Sequence, residues 1–315
     1  MYTQTISFKK NIRKLYRQFN FIKENAKYLR LCRFTQVKDV NTFYFVIDPQ
    51  LKHPGLADIL KAIVSCYYIA KANQYKFKLI FKSPFRLEDY FTENKTRWIA
   101  DFEDLEYSIQ STKFYNFTGN KIPILEKGKQ YHCYNYVGVD IFWHEKDHIK
   151  MWYNLFTELF KPTNLLIEGI KGTGFFNKDY VTIHLRFVNL LDSFEKGTKT
   201  HLTQEQKDTL ISKCKNEIKQ ICNMHANLPI IILSDSKTFL NKLNDMPVII
   251  LDLSSLSHIS YASSNDSILK TFIDFTLMIK AKYTYKIRGC GLYDTAFSSY
   301  AAYAGGKDII EKDLI

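Results

Sequence analysis

Two side chains suited to anion binding stand at the end of a predicted strand. Residues 180–186 read YVTIHLR, a run typical of a buried strand. His184 and Arg186 share one side of it, because strand side chains alternate with a period of two. An Arg guanidinium can hold a diphosphate and a His can hydrogen-bond a base or a sugar. An ion pair with a nearby carboxylate explains the same residues, and the pattern alone leaves both open.

Two further predicted junctions carry hydroxyls and an acid. Ser234, Asp235 and Ser236 follow the buried run PIIIL, and Thr295 and Ser298 open a predicted helix at 295–304. The N–H groups and dipole of a helix N-terminus attract phosphate oxygens. Ordinary helix capping explains each junction taken alone. Three polar strand ends in one sheet favour a nucleotide-diphosphate site.

Two other motifs allow different interpretations. HEKDH at 144–148 fits the H-E-x-x-H pattern, in which His144 and His148 bind zinc and Glu145 acts as a base. The charged intervening residues and the missing third ligand favour a solvated helix start, and a zinc hydrolase is retained as an alternative. GIKGTG at 169–174 precedes a strand and opens no predicted helix, so we predict a flexible interdomain linker there.

The composition is that of a globular protein in a reducing compartment. The 315 residues are 46% hydrophobic and 24% charged, which excludes a disordered or low-complexity chain. No apolar run is long enough for a membrane span, and no secretory signal is expected. The six cysteines are scattered without a C-x-x-C pair, so we predict buried free thiols, no structural zinc and a cytoplasmic location.

The net charge of +12 is concentrated in residues 1–33, which hold nine Lys and Arg against one acid, Glu24. Apolar residues recur there at helical spacing. Such a helix can lie on an anionic membrane or pack on the protein with its basic side in solvent. A non-catalytic polysaccharide or nucleic-acid binder that uses this arm and exposed aromatic residues is a further alternative.

Strands and helices alternate along most of the chain, which predicts an α/β fold with parallel sheets covered on both faces. Residues 86–142 give no clear element. We place a domain boundary near residue 165. The predicted strands are 43–48, 75–81, 180–186, 229–234, 247–251 and 282–287, and the predicted helices are 55–74, 146–160, 203–226, a short one from 236, 265–281 and 295–304.

Taken in order, these motifs resemble those of the inverting fucosyltransferase superfamily, the GT-B glycosyltransferases that include α1,2- and α1,6-fucosyltransferases and bacterial relatives. The His-x-Arg strand end is His184-Leu185-Arg186, and the strand ending in Ser-Asp is Ser234-Asp235. Asp274 lies in the helix before the last predicted strand, and Thr295-Ala296-Phe297-Ser298 opens the last helix. Gly55, Leu56 and Asp58 match the family's Gly-Leu-Gly-Asp segment.

The resemblance implies a GT-B fold, with two Rossmann-like domains that face a central cleft. Residues 1–165 would bind the acceptor and residues 166–315 the nucleotide sugar. The implied activity is inverting, metal-independent transfer of a sugar, fucose from GDP-fucose above all, to a glycan acceptor. A bacterial enzyme of lipopolysaccharide or capsule synthesis, cytoplasmic and peripheral on the inner membrane, would also account for the basic arm. No nucleic-acid partner and no metal or other cofactor is expected.

The resemblance also implies roles for individual residues. Arg186 would bind the β-phosphate, and His184 and Asp274 would contact guanine or ribose. Asp192 or Glu195, in the loop after His-x-Arg, would act as the catalytic base. The remaining donor-binding residues would be Ser234, Asp235, Thr295, Phe297 and Ser298, and the acceptor-side residues Gly55 and Asp58. Phe187 and Asn189 stand where the family usually has Arg and an acid.

Overall fold

The protein is represented by a computed structural model that describes residues 26, 31–35, 37–47, 54–115, 122–134, 147–192, 202–251 and 265–315. The predictions for most of the basic arm and for His144, Glu145 and Glu195 lie outside these residues.

The chain forms two compact units. The first comprises residues 1–51, 61–83 and 96–141, and the second residues 52–60, 84–95 and 142–315. Residues 142–165 thus group with the C-terminal half, because helix α2 (His148–Leu159) packs on the last helix, α7 (Ala296–Ala304). The ring centroids of Trp152 and Tyr300 are 4.6 Å apart. The acceptor-binding and donor-binding roles of ranges 1–165 and 166–315 stay a prediction.

The first unit contains a four-stranded, fully parallel sheet in the order β2-β1-β5-β4. All six residues of β1 are buried, as expected of a parallel strand that is covered on both faces. Helix α1 connects β1 to β2. The elements are β1 (Thr42–Ile47), α1 (Leu56–Ala72, of which residues 56–60 group with the second unit), β2 (Lys76–Phe81), β4 (Thr112–Tyr115), β5 (Gln130–Cys133) and a 3-10 turn (Phe102–Asp104).

The second unit contains a five-stranded parallel sheet in the order β11-β10-β7-β8-β9. From β7 the chain first adds strands on one side and then returns to add β10 and β11 on the other. The strands are β7 (Val181–Leu185), β8 (Ile230–Ser234), β9 (Ile249–Ile250), β10 (Tyr283–Gly289) and β11 (Ile310–Leu314). The carboxyl ends of β7 and β10 therefore form a topological switch point, where ligands bind in open α/β sheets.

Helices and two short antiparallel strands complete the second unit. Strands β3 (Phe91–Glu93) and β6 (Phe160–Pro162) pair with each other. The remaining elements are α3 (Asn164–Gly172), α4 (Gln204–Met224), α5 (Lys237–Leu240), α6 (Asn265–Lys280) and 3-10 turns at Leu87–Asp89 and Asn241–Leu243. No described helix has the length and apolar character needed to cross a bilayer.

The flexible linker predicted at 169–174 is wrong, because residues 164–172 form helix α3. The Thr163 hydroxyl caps its start by accepting from the Leu166 N–H. Gly169 lies inside this helix at its contact with α6, where an added Cβ would stand 2.8 Å from Ile273 Cδ1. The glycines that indicated a linker are thus partly explained by close helix packing.

The described cysteines are free thiols, as predicted. Cys66, Cys133, Cys214 and Cys222 are buried as expected. Cys32 is half-buried and Cys290, in the turn after β10, is exposed, so these two do not fit the prediction of buried thiols.

Gly305 allows the end of α7 to approach the end of α6. A Cβ at this position would lie 2.4 Å from Ile279 O and 3.2 Å from Ala302 O, and neither backbone atom can move aside cheaply. We expect Gly305→Ala to lower the free energy of unfolding by about 3 kcal/mol. Gly172→Ala is the control, since nothing lies within 4 Å of its Cβ position, and it should stay within about 1 kcal/mol of wild type. Equal denaturation midpoints for both variants would contradict this.

Candidate functional site

Arg186 is held at the carboxyl end of β7 by Asp235, which follows β8. Arg186 Nε lies 3.4 Å from Asp235 Oδ2, and the two side chains are 18% and 7% exposed. The same carboxylate accepts the Phe187 N–H at 2.8 Å and the Val188 N–H at 2.9 Å. Asp235 therefore fixes both the guanidinium and the turn that follows it.

That turn is strained at Val188, whose φ is +53°. A β-branched residue in the left-handed region costs of order 1–3 kcal/mol and persists only when its surroundings impose it. The hydrogen bond from the Val188 N–H to Asp235 is such a constraint. The strained residue is two positions from Arg186.

The N-terminus of α7 lies beside the same strand end. The Tyr293 N–H donates to Arg186 O at 2.9 Å, two residues before the helix cap. Thr295 is the cap, and its hydroxyl accepts the Phe297 N–H at 3.1 Å. The structure thus brings the predicted guanidinium residue and the predicted helix start together at one edge of the sheet.

Three buried polar atoms of this region lack a hydrogen-bond partner among the described residues: His184 Nδ1, Asp274 Oδ1 and Ser298 Oγ. They belong to β7, α6 and α7. The Phe297 ring joins these elements, because its centroid is 5.6 Å from that of His184 and 5.4 Å from that of Phe275. Buried polar groups are normally satisfied, so this cluster is suited to a ligand that both donates and accepts hydrogen bonds.

Lys286 is a buried cation that the sequence analysis missed. It lies opposite His184 in the β7–β10 pairing, and its side chain is 6% exposed. Its Nζ is 2.7 Å from Asp294 Oδ1 and 2.6 Å from Glu311 Oε1. Arg288 adds an ion pair at 2.7 Å to Glu311 Oε2. The signal was a Lys in the buried run KYTYKI, where an apolar residue is the usual choice.

This network also explains the position of Asp294. A carboxylate directly before Thr295 would repel a phosphate at the start of α7. Lys286 and, at 3.6 Å, Arg288 Nη1 neutralise it.

Lys270 is the second missed cation, and its partner is Asp274 one helical turn later. Lys270 Nζ lies 2.5 Å from Asp274 Oδ2, with the two side chains 11% and 15% exposed. Burial raises the pKa of Asp274, and the ammonium of Lys270 acts in the opposite direction. The i,i+4 spacing of a Lys and an Asp in the largely apolar stretch ILKTFIDFTLMI was the available signal.

His184 is neutral at physiological pH. Burial, together with the charges of Arg186, Lys270 and Lys286, lowers its pKa to about 3. One ring nitrogen is then a donor and the other an acceptor.

Of the two acids predicted as the catalytic base, Asp192 belongs to the described residues and lies beside the start of α5. Its Oδ2 accepts the Ser236 hydroxyl at 2.6 Å, and its Oδ1 accepts the Thr238 hydroxyl. Glu195 lies outside the described residues. The catalytic role of either acid stays a prediction.

The remaining predicted site residues lie at the end of β8 and at the starts of α1 and α2. Ser234 Oγ accepts the Ser236 N–H at 3.2 Å. Gly55 O accepts the Asp58 N–H at 3.0 Å at the start of α1, and their acceptor-side role stays a prediction. His148 opens α2, with its ring 5.4 Å from Tyr303. Within the described ranges no cluster of three or more His, Cys, Asp or Glu could hold a metal ion.

The buried neutral histidines make stability depend on pH. His132, in the first unit, also has its pKa lowered to about 3 by burial. As the pH falls below about 6.5, the unfolded chain binds these protons before the folded protein does, so stability is complete above that pH and is lost toward pH 3. Each histidine should lower the free energy of unfolding by about 2 kcal/mol at about pH 5, relative to neutral pH.

Melting temperatures at about pH 7 and about pH 5 test this dependence. His184→Gln and His132→Gln should each reduce the loss on acidification, and their effects should add because the two residues lie in different units. A loss of the same size in the wild type and the double variant would contradict the assignment.

No model of a known protein family matches the chain, and a comparison with curated proteins finds no relative by sequence. Solved structures do match. One is an Arabidopsis thaliana FUT1 variant in complex with GDP, with TM-score 0.53 and 14% identity over 96% of this chain and 78% of that chain.

Others are structures of the fucosyltransferase NodZ. The NodZ α-1,6-fucosyltransferase co-crystallised with GDP gives a TM-score of 0.55 at 11% identity over 84% of this chain and 92% of that chain. NodZ from Bradyrhizobium gives 0.54 at 12% identity over 84% and 93%. At these identities the likeness concerns the fold. It confirms the expected α/β GT-B architecture: this chain has the fold of these fucosyltransferases.

Proposed function

We propose that this protein transfers fucose from GDP-fucose to a glycan acceptor, with inversion and without a metal ion. One observation carries the proposal: Arg186 contacts the segment that leads into α7 at the switch point between β7 and β10, and the neighbouring β7, α6 and α7 each hold a buried polar atom without a described partner, in His184, Asp274 and Ser298. Structures of the same fold were solved with GDP or GDP-fucose. That likeness makes GDP-fucose the first donor to test.

The charges at this edge suit a departing diphosphate. Arg186 provides a guanidinium, and α7 provides N–H groups and the positive end of its dipole. Lys270 and Lys286, close to His184, offset the carboxylates of Asp274, Asp294 and Glu311, which would otherwise repel the phosphates. Arg186 and the start of α7 would stabilise the negative charge that develops on the leaving oxygen, which is the role a divalent cation has in other transferases.

In the proposed reaction, an acceptor hydroxyl oxygen forms a bond to C1 of fucose as the bond from C1 to the β-phosphate oxygen breaks. The bonding electron pair leaves with GDP, and attack from the opposite face inverts the anomeric centre. Asp192 or Glu195 takes the hydroxyl proton as general base. Both oxygens of Asp192 already accept hydrogen bonds from hydroxyl groups, which leaves Glu195 as the acid to test first.

For the acceptor, we propose a lipid-linked glycan of lipopolysaccharide or capsule synthesis at the cytoplasmic face of the inner membrane. The support is the basic arm at 1–33, whose charge suits an anionic surface. Gly55 and Asp58 would lie on the acceptor side.

Thermal unfolding with a panel of nucleotides tests donor binding. In the presence of EDTA, GDP and GDP-fucose should raise the melting temperature by several degrees at saturating concentration, and UDP and ADP should do so less. NMR of the glycoside formed from β-linked GDP-fucose then reports the anomer, and an α-linked product is expected. No stabilisation by any guanine nucleotide, with or without Mg²⁺, would contradict the proposal.

A further inference from the structure

The ion pair of Lys270 and Asp274 satisfies only one oxygen of the carboxylate. Lys270 contacts Oδ2, whereas Oδ1 is buried and has no hydrogen-bond partner in the part of the chain that is described. An ionised carboxylate can only accept hydrogen bonds. The unpaired oxygen therefore calls for an N–H or O–H donor that the described residues do not supply.

Helix stability is a weak explanation for this pair. Lys precedes the acid by four residues, which is the less favourable order with respect to the helix dipole. Removing two charges from water costs more than a single contact at 2.5 Å is expected to return. The pair is better explained by a requirement that the buried Asp274 carboxylate stay ionised.

We propose that Lys270 is a positioning residue that holds Asp274 in its acceptor-only form, ready to receive a hydrogen-bond donor from the nucleoside of the donor substrate. This rests on the proposed function. Guanine offers N–H groups at its base-pairing edge and ribose offers hydroxyls. Without the ammonium, the buried carboxyl would take up a proton, and one of its oxygens would become a donor that opposes those of the nucleoside.

Other charged or titratable groups lie on the elements that pack on α6 or close to it. Lys270 is the one in direct contact with the Asp274 carboxylate. The others are His184 and Arg186 at the end of β7, Lys286 of β10, the Lys171–Glu168 pair of α3, Tyr300 and Tyr303 of α7, and Arg86, Glu88, Asp89 and Tyr90 of the segment next to Phe272. Each of them remains in a Lys270 variant. Loss of Lys270 would also raise the pKa of His184, but protonation of His184 adds positive charge near the diphosphate, whereas protonation of Asp274 removes an acceptor, so weaker binding at low pH would report the Lys270–Asp274 contact.

The test is calorimetric binding of GDP-fucose, whose diphosphate diester does not titrate, between about pH 6 and about pH 8. The wild-type affinity should be constant over this range. Lys270→Met should bind about tenfold more weakly at about pH 6 and recover toward about pH 8, as Asp274 loses its proton.

Two controls separate charge from packing. Lys280→Met removes a Lys that lies over the Phe176 ring at the end of the same helix and should behave as wild type. Lys270→Arg keeps the charge and should keep the flat profile. Binding of GDP and of ADP to Lys270→Met and to the wild type at one pH shows which part of the nucleoside donates the hydrogen bond to Asp274. If guanine donates it, the variant binds GDP alone more weakly; if ribose donates it, the variant binds both nucleotides more weakly.

An unchanged affinity of Lys270→Met, or one reduced equally at every pH, would overturn the inference. If that variant does not fold, wild-type titrations in two buffers of different ionisation enthalpy decide: proton release on binding would show that Asp274 starts protonated and would overturn it. A wild-type protein that binds neither GDP nor GDP-fucose at any pH refutes the proposed function itself, and this inference with it.

Discussion

Arg186→Ala is expected to abolish the stabilisation of the protein by GDP and to lower kcat for fucosyl transfer by about 10²–10³-fold. The ion pair with Asp235 holds the Arg186 guanidinium at the edge of the sheet where α7 begins. Its charge should interact most strongly with the leaving diphosphate in the transition state, so its loss should appear in kcat as well as in binding. Initial rates with GDP-fucose and thermal shifts with GDP measure the two effects.

The matched control is Arg86→Ala. Arg86 is 63% exposed and has an ion pair at 4.0 Å with Asp89, so its removal should change neither quantity. Arg186→Lys retains the charge without the forked geometry and should fall between wild type and the Ala variant. Normal GDP stabilisation in Arg186→Ala would rule out the diphosphate site at this strand end.

Asp235→Ala should damage both stability and donor binding. Its removal leaves the N–H groups of Phe187 and Val188 without their acceptor and takes away the ion-pair partner of Arg186. The turn that holds Val188 at positive φ would then relax. We expect a loss of about 3 kcal/mol in the free energy of unfolding, together with a GDP affinity at least about tenfold lower.

Asp179→Ala is the control for this change, because Asp179 is 69% exposed and its pair with Lys282 is 3.3 Å long. Urea titrations give the stability difference, and GDP titrations on the folded variants give the affinity. A variant that loses stability but binds GDP normally would show that Asp235 supports the turn without positioning Arg186.

Local patterns in the sequence determined most of the elements around the site. The apolar runs that predicted β7 and β8 and the helical spacing that predicted α4, α6 and α7 agree with the structure to within a few residues at each end. These segments are long or strongly periodic, so their own side chains decide their conformation. Strands β4 and β5 were missed because they are four residues long and become strands only by pairing with β1 and with each other.

The sequence by itself also placed His184, Arg186, Asp235 and Thr295 at strand ends and helix starts, because these can be read locally. Tertiary structure alone decided their partners. Lys286 and Glu311 are neighbours because β10 and β11 pair, and Arg186 meets Tyr293 because β10 returns beside β7. Burial lowers the pKa of His184, which keeps the ring neutral. Burial also raises the pKa of Asp274, and the ammonium of Lys270 opposes that rise. Charge states and contacts of this kind are long-range properties, because they depend on what the fold brings near and on how much water it removes.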